Sequence, residues 1–212
     1  MSRSLDPVAI YLLLIAIALL VPLSASVDIA PEISDKSRIA LLMIALGLSL
    51  GLLIRGSMEV ESMMKFPVEL GYILYYGLMC YGIAVVAEFF ILLTLQGMMV
   101  TTLPLSQVVL EKDFSLAVTF LIGYSIAEEV FFAFGIFGSF YALTKNPYSA
   151  HLASLTIFAL SHIFVYGYNP AILLALATGR VIFNEFYRRY KKLGIPMIAH
   201  LTVNIFALLG MV

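Results

Sequence analysis

Charge is scarce in this chain. Of its 212 residues only 12% are Asp, Glu, Lys or Arg, and these nearly cancel to a formal net charge of -1. A nucleic-acid interface needs clustered Lys and Arg, so that class is excluded. The single cysteine, Cys80, rules out an internal disulfide and any zinc site built on thiolates. No extended polar tract is present from which a separate soluble domain could be built, and there is no convincing repeat, low-complexity segment or heptad array. What remains is apolar: 62% of residues are hydrophobic and the mean hydropathy is +1.04, against about 45–50% apolar and about 25% charged in soluble domains. The composition predicts an all-α polytopic transmembrane bundle, a single integral membrane domain over residues 1–212.

The apolar runs are Val8 to Leu23, Ile39 to Ile54, Leu70 to Val100, Phe114 to Leu143, Ser149 to Val165, Pro170 to Phe186 and Ile195 to Val212. They predict seven spans, or eight if one of the two overlong runs breaks. The first follows Ser2-Arg3-Ser4 and precedes Ser24-Ala25-Ser26, a pattern a signal peptide shares; a spanning helix is the preferred reading, because the first helix of a polytopic protein can serve as its own signal. In the second run, Gly47-Leu48-Ser49-Leu50-Gly51 sets small residues at helix-contact spacing. About 20 residues cross a core of about 30 Å, so the third and fourth runs must tilt, bend or overhang. An amino terminus inside puts Arg3, Arg55, Lys65, Lys145, Arg188, Arg189, Lys191 and Lys192 on the inner side, against Lys36, Arg38 and Lys112 outside. That asymmetry predicts a cytoplasmic amino terminus and an external carboxyl terminus. The basic turn at 188 to 192 reads as a cytoplasmic anchor, or as a holder of anionic headgroups.

Within the fourth run stands the pair Glu128-Glu129. A carboxylate at hydrocarbon depth costs at least ~2.5 kcal/mol on insertion scales, so two together call for partners or water. The strongly polar side chains singled out in the later runs are His162, Arg180, His200 and Asn204. Phe158 and His162 share a helix face, as do His200 and Asn204, four residues apart in each case. Consecutive helical residues point about 100° apart, which predicts that Glu128 and Glu129 do not both face one small cavity: one reacts and the other supports. If these faces meet, the set suits amide hydrolysis. A carboxylate takes the proton of a water, an imidazole orients that water, and an imidazole and an amide stabilise the oxyanion. Ser161 and Thr202 lack a recognisable nucleophile turn or a Lys base, which disfavours covalent catalysis. Other residues have plainer readings: Phe131, Phe132, Phe134 and Phe137 as core or lipid-facing packing, Glu88 as an interfacial or helix-helix carboxylate, and His151 as interfacial. Arg180 reads as pairing with a carboxylate or snorkelling, with Gly179 beside it at a close helix contact.

Glu128-Glu129-Val130-Phe131-Phe132, then Phe158-x-x-x-His162, then His200-x-x-x-Asn204, in this order, resembles the CPBP family of CAAX proteases and bacteriocin-processing or immunity proteins. The resemblance covers residues 114–212, leaving 1–113 as accessory helices. It implies an intramembrane glutamate-type endopeptidase needing neither metal nor cofactor, whose CAAX-processing members remove the last three residues of prenylated proteins at the cytosolic side. Carried over, Glu128 with His162 activates water, Glu129 supports it, and His200 with Asn204 forms the oxyanion site; Phe158 and Arg180 are supporting residues. The implied partners are a membrane-associated peptide or protein and the bilayer itself, with no nucleic acid. The family's first motif ends in Arg five residues after its first Glu, where this chain has Ala133. That departure favours a second reading, a catalytically weakened scaffold that binds or regulates another membrane protein, unless Arg180 supplies the missing charge from a different helix; a third reading is a Glu/His metal enzyme or ion transporter. Against the metal reading, the His-Glu-x-x-His spacing is absent. The topology also carries a strain. His200 sits near the inner edge and His162 near the outer one, about 10 Å apart in depth, unless helices tilt or the segment 170–186 stops short of crossing.

Overall fold

A computed structural model describes residues 40, 42–51, 70–96, 122–166 and 168–208. The first apolar run, the connection at 97–121 and the last four residues lie outside that set, so the count of seven spans and the orientation of the amino terminus are not read from it. Among the described residues every element is a helix: α1 (Leu42–Gly51), α2 (Leu70–Gln96), α3 (Ile122–Thr144), α4 (Pro147–Tyr166), α5 (Pro170–Tyr190) and α6 (Gly194–Leu208). Two of these, α2 and α3, are long and apolar enough to cross a membrane.

These two long helices do opposite work. In the most apolar window of α2 only 11% of residues are buried, whereas in α3 the figure is 78%. Leu74, Leu78, Val86, Phe90 and Leu93 of α2 are exposed, the pattern expected of a helix whose outer face meets lipid tails. Its inner stripe is Ile73, Gly77, Cys80 and Ala84, at helical spacing, and it packs on Phe183 of α5 and on Ile195 and Ala199 of α6. Gly77 lets the helices close up, since a Cβ there would lie 2.7 Å from the side chain of Ile198.

From Ala127 to Phe140 helix α3 is enclosed by its neighbours, while Ile122 and Ile126 in its first turns stay exposed. Phe131, Phe132, Phe134 and Phe137 are core residues, each at most 1% exposed. From Glu129 to Phe137 the backbone is a π-helix, in which the Gly138 N–H reaches the Ala133 carbonyl, five residues back rather than four. Such wide turns are frequent at functional sites. The small residues of α1 seat directly on it: a Cβ on Gly47 would come 2.4 Å from the Val130 carbonyl oxygen, and one on Gly51 would strike the Phe134 ring.

The turns follow local chemistry. Lys145 closes α3 in the left-handed conformation, with its N–H on the Tyr141 carbonyl, and Pro147 opens α4. Asn169 caps α5 by accepting from the amides of Ala171 and Ile172, with Pro170 at the first helical position. At the other end of α5, Glu185 accepts from both Arg188 and Arg189, so the basic turn is partly neutralised from within its own helix. That contact raises the Arg188 guanidinium above its ordinary range, the hydrogen bond to Glu185 being the main cause. His151, read as interfacial, packs over the Phe137 ring with Nε2 3.7 Å from Glu185.

Candidate active site

Helices α3 and α6 run antiparallel past one another, and two polar rungs join them. His200 Nδ1 lies 2.8 Å from Glu129 Oε1; four residues back on α3 and four on along α6, the Asn204 amide donates to Ser125 Oγ at 2.9 Å. The i, i+4 spacing on each helix is what sets both rungs on one seam.

Glu129 is fully buried and is gripped by Arg180 of α5. Nη1 donates to Oε1 at 2.8 Å and Nη2 to Oε2, a two-pronged guanidinium–carboxylate pair. Arg180 itself is 2% exposed, packed between the rings of Phe158 and Phe183 at 5.7 and 5.4 Å. Of the two sequence-level alternatives, pairing and snorkelling, the structure shows pairing. Gly179 makes the close helix contact, and what it meets is Glu88 of α2.

Although neighbouring helical side chains point about 100° apart, His200 contacts both glutamates. Its ring lies between them, Nδ1 on Glu129 and Nε2 3.2 Å from Glu128 Oε2. Opposite edges of one imidazole thus span the roughly 100° between neighbouring side chains. The protons can be assigned from this arrangement. An ionised carboxylate only accepts, so Glu129 accepts from Arg180 twice and from His200 Nδ1–H once. His200 Nε2 faces Glu128 Oε2 as an ion pair when the imidazole is protonated. In the imidazolium form, two carboxylates face two cations.

His162 is placed differently. Its Nδ1 lies 2.9 Å from the Phe158 carbonyl of its own helix and 3.1 Å from Ser161 Oγ. A carbonyl only accepts, so Nδ1 carries the proton there, and Nε2 of the neutral ring is an acceptor. Phe158 stacks on the His162 ring at 4.0 Å and meets Phe132 edge-on at 5.1 Å.

The short list of polar residues passed over some that matter. Asn184, fully buried on α5, donates to Ser154 Oγ at 3.0 Å, and Ser154 donates in turn to the Phe132 carbonyl at 3.4 Å. Phe132 lies within the π-turn, so two side chains from two helices brace the segment that carries the glutamates. Asn184 stands in the run Pro170 to Phe186 and was visible there. Ser125 was visible only as the residue four before Glu129.

Ala133 is completely buried and carries no charge to the site. Chemically, the arrangement offers a carboxylate and an imidazole able to exchange a proton, a second carboxylate pinned as a permanent anion, and a second imidazole with an acceptor nitrogen. In comparison with known proteins, residues 110–206 match a family model described as type II CAAX prenyl endopeptidase Rce1-like. No curated protein and no solved structure matches the chain.

Proposed function

Through residues 110–206 the chain belongs to the Rce1-like family of type II CAAX prenyl endopeptidases, and on that premise we propose that it hydrolyses a peptide bond in a membrane-associated, prenylated substrate with a water activated by Glu128. The observation that supports this reading best is the contact chain Glu128–His200–Glu129–Arg180, drawn from three helices into one buried cluster.

In the proposed reaction Glu128 takes a proton from water as the hydroxide forms on the scissile carbonyl. His162, with Nδ1 committed to the Phe158 carbonyl, accepts from the same water through Nε2 and fixes its position. Asn204, one turn further along α6 with one amide hydrogen on Ser125, turns its second toward the developing oxyanion, while His200, its two nitrogens held by Glu128 and Glu129, adds the positive charge of its imidazolium form. Glu129 keeps His200 oriented, and Arg180 keeps Glu129 ionised. The proton accepted by Glu128 passes to the leaving amine, which returns the pair to its starting state. No metal enters this scheme.

The test is cleavage of a quenched prenylated peptide by the purified protein in lipid vesicles. Glu128→Gln is expected to lower kcat by about 10²–10⁴-fold, the usual contribution of a general base, and a strong chelator is expected to leave the rate unchanged. Full activity in Glu128→Gln removes the mechanism. Chelator-sensitive cleavage replaces it with a metal-dependent one.

A further inference from the structure

Among the described residues, four buried side-chain polar atoms find no hydrogen-bond partner: Ser139 Oγ, His151 Nδ1, Arg180 Nε and Asn184 Oδ1. Buried polar groups in folded proteins are nearly all paired, with protein or with ordered water. Two of these four belong together. Arg180 and Asn184 stand one turn apart on the inward face of α5, 2% and 0% exposed, and side chains four apart on a helix lie one above the other, with about 5–6 Å between Cβ atoms. A helical side chain leans toward the amino-terminal end of its helix, so the Asn184 amide leans over the turn that carries Arg180.

The hydrogen bonds already made fix which atoms are left over. Arg180 meets Glu129 through its two terminal nitrogens, and this end-on fork leaves Nε–H outside the pair. The rings of Phe158 and Phe183 flank the guanidinium and offer it no oxygen or nitrogen. The single hydroxyl proton of Ser154 goes to the Phe132 carbonyl, so Asn184 presents its amide hydrogens to Ser154 Oγ and keeps Oδ1 as an unused acceptor. A donor and an acceptor on neighbouring turns thus stand without partners and without touching each other. We propose that one bound water bridges them, accepting from Arg180 Nε–H and donating to Asn184 Oδ1. Two hydrogen bonds of about 2.7–3.2 Å through one oxygen reach between side chains one turn apart, and an enclosed site with converging polar groups is where buried water is held. The bridge makes a single chain of two networks: Glu129, Arg180, water, Asn184, Ser154 and the Phe132 carbonyl of the π-turn. The guanidinium is then oriented from both ends, by the carboxylate it pairs with and by the backbone segment that carries that carboxylate. The water site stands independently of the proposed hydrolysis.

The experiment records the arginine Nε–H signals of the full chain, ¹⁵N-arginine-labelled in micelles, with Arg180→Lys used to assign that of Arg180. Wild type is expected to show a cross-peak between this Nε–H and water whose sign, compared between laboratory-frame and rotating-frame spectra, is that of dipolar contact with a long-lived bound molecule. Asn184→Leu, which fills the space with apolar atoms, is expected to lose the cross-peak. Ser154→Ala, which leaves Asn184 Oδ1 in place, is expected to keep it, with circular dichroism as the check that both variants fold. No cross-peak in wild type, one with the sign of proton exchange with bulk water, or one that survives in a folded Asn184→Leu overturns the proposal. The wild-type spectrum decides by itself should a variant fail to fold, and it needs no substrate.

Discussion

Arg180 is the residue on which the charge balance of the site turns. It is buried with Glu129 as a two-pronged pair, and a buried pair is fragile in a particular way. Removing one partner strands the other, at a cost of about 3–5 kcal/mol, a large share of the roughly 5–15 kcal/mol that separates folded from unfolded states. Arg180→Ala is therefore expected to lose about that much in a denaturant titration in micelles. Arg180→Lys keeps the charge but replaces a planar fork by a point donor, and is expected to lose about 1.5–3 kcal/mol, the worth of one hydrogen bond to a charged group. Both variants are expected to lower kcat together with stability, because Glu129 also orients His200. An Arg180→Ala protein as stable and active as wild type would show that Glu129 is neutral in the folded state. Much of this site could be read from the sequence, because an ionisable residue in an apolar run stands out against its background. The position of each polar side chain, however, came from geometry that the residue types do not encode. The two-nitrogen span of His200, which brings one ring against both Glu128 and Glu129, is the clearest case.

At the scale of elements, the feature the sequence concealed is the π-segment of α3. Residues 129 to 137 are apolar on every side after Glu129, so a change from the ordinary helical period leaves no trace in the pattern; hydrophobic periodicity reports a turn width only where polar residues mark it. Serine was equally silent. In a membrane helix it can satisfy itself on its own backbone, as Thr156 does at the Leu152 carbonyl, so nothing marked Ser154 as a brace for Phe132 or Ser125 as a partner for Asn204. The brace can be tested by a double-mutant cycle. Asn184→Ala and Ser154→Ala are each expected to cost about 1 kcal/mol, and the double variant less than the sum, because both act on one hydrogen-bonded chain. If the chain holds the π-turn in place, both single variants also slow cleavage with little change in KM. Additive stability losses with unchanged kcat would assign these side chains to packing alone.

On the scale of the whole molecule, the apparent division of labour between the two halves of the chain dissolves. Every residue with a proposed role in the chemistry falls within 110–206, and the preceding helices carry no recognisable motif, which is why they read as accessory. Yet α2 shares a core with that segment, where Ile73, Cys80 and Ala84 pack on Phe183, Ile195 and Ala199. At one end Tyr72 and Tyr76 pack against Tyr190, with ring centroids 6.0 and 4.3 Å apart; at the other, Glu88 fills the groove at Gly179. Helix α1 seats on the π-turn itself through Gly47 and Gly51. Without these two helices, α3 would expose the Val130 face and the Phe134 ring, and α5 and α6 would lose the cover on which Arg180 and His200 depend for their low-dielectric surroundings. The fragment 110–212 is therefore expected to insert into membranes with most of its helices formed, to show no cooperative thermal transition, and to cleave the prenylated peptide at least about 100-fold more slowly than the full chain. Adding residues 1–109 as a separate chain is expected to restore part of the activity if the two halves dock. A fragment as active and as cooperative as the full chain would establish the family segment as self-sufficient, and would make the packing of α1 and α2 a decoration on a complete enzyme.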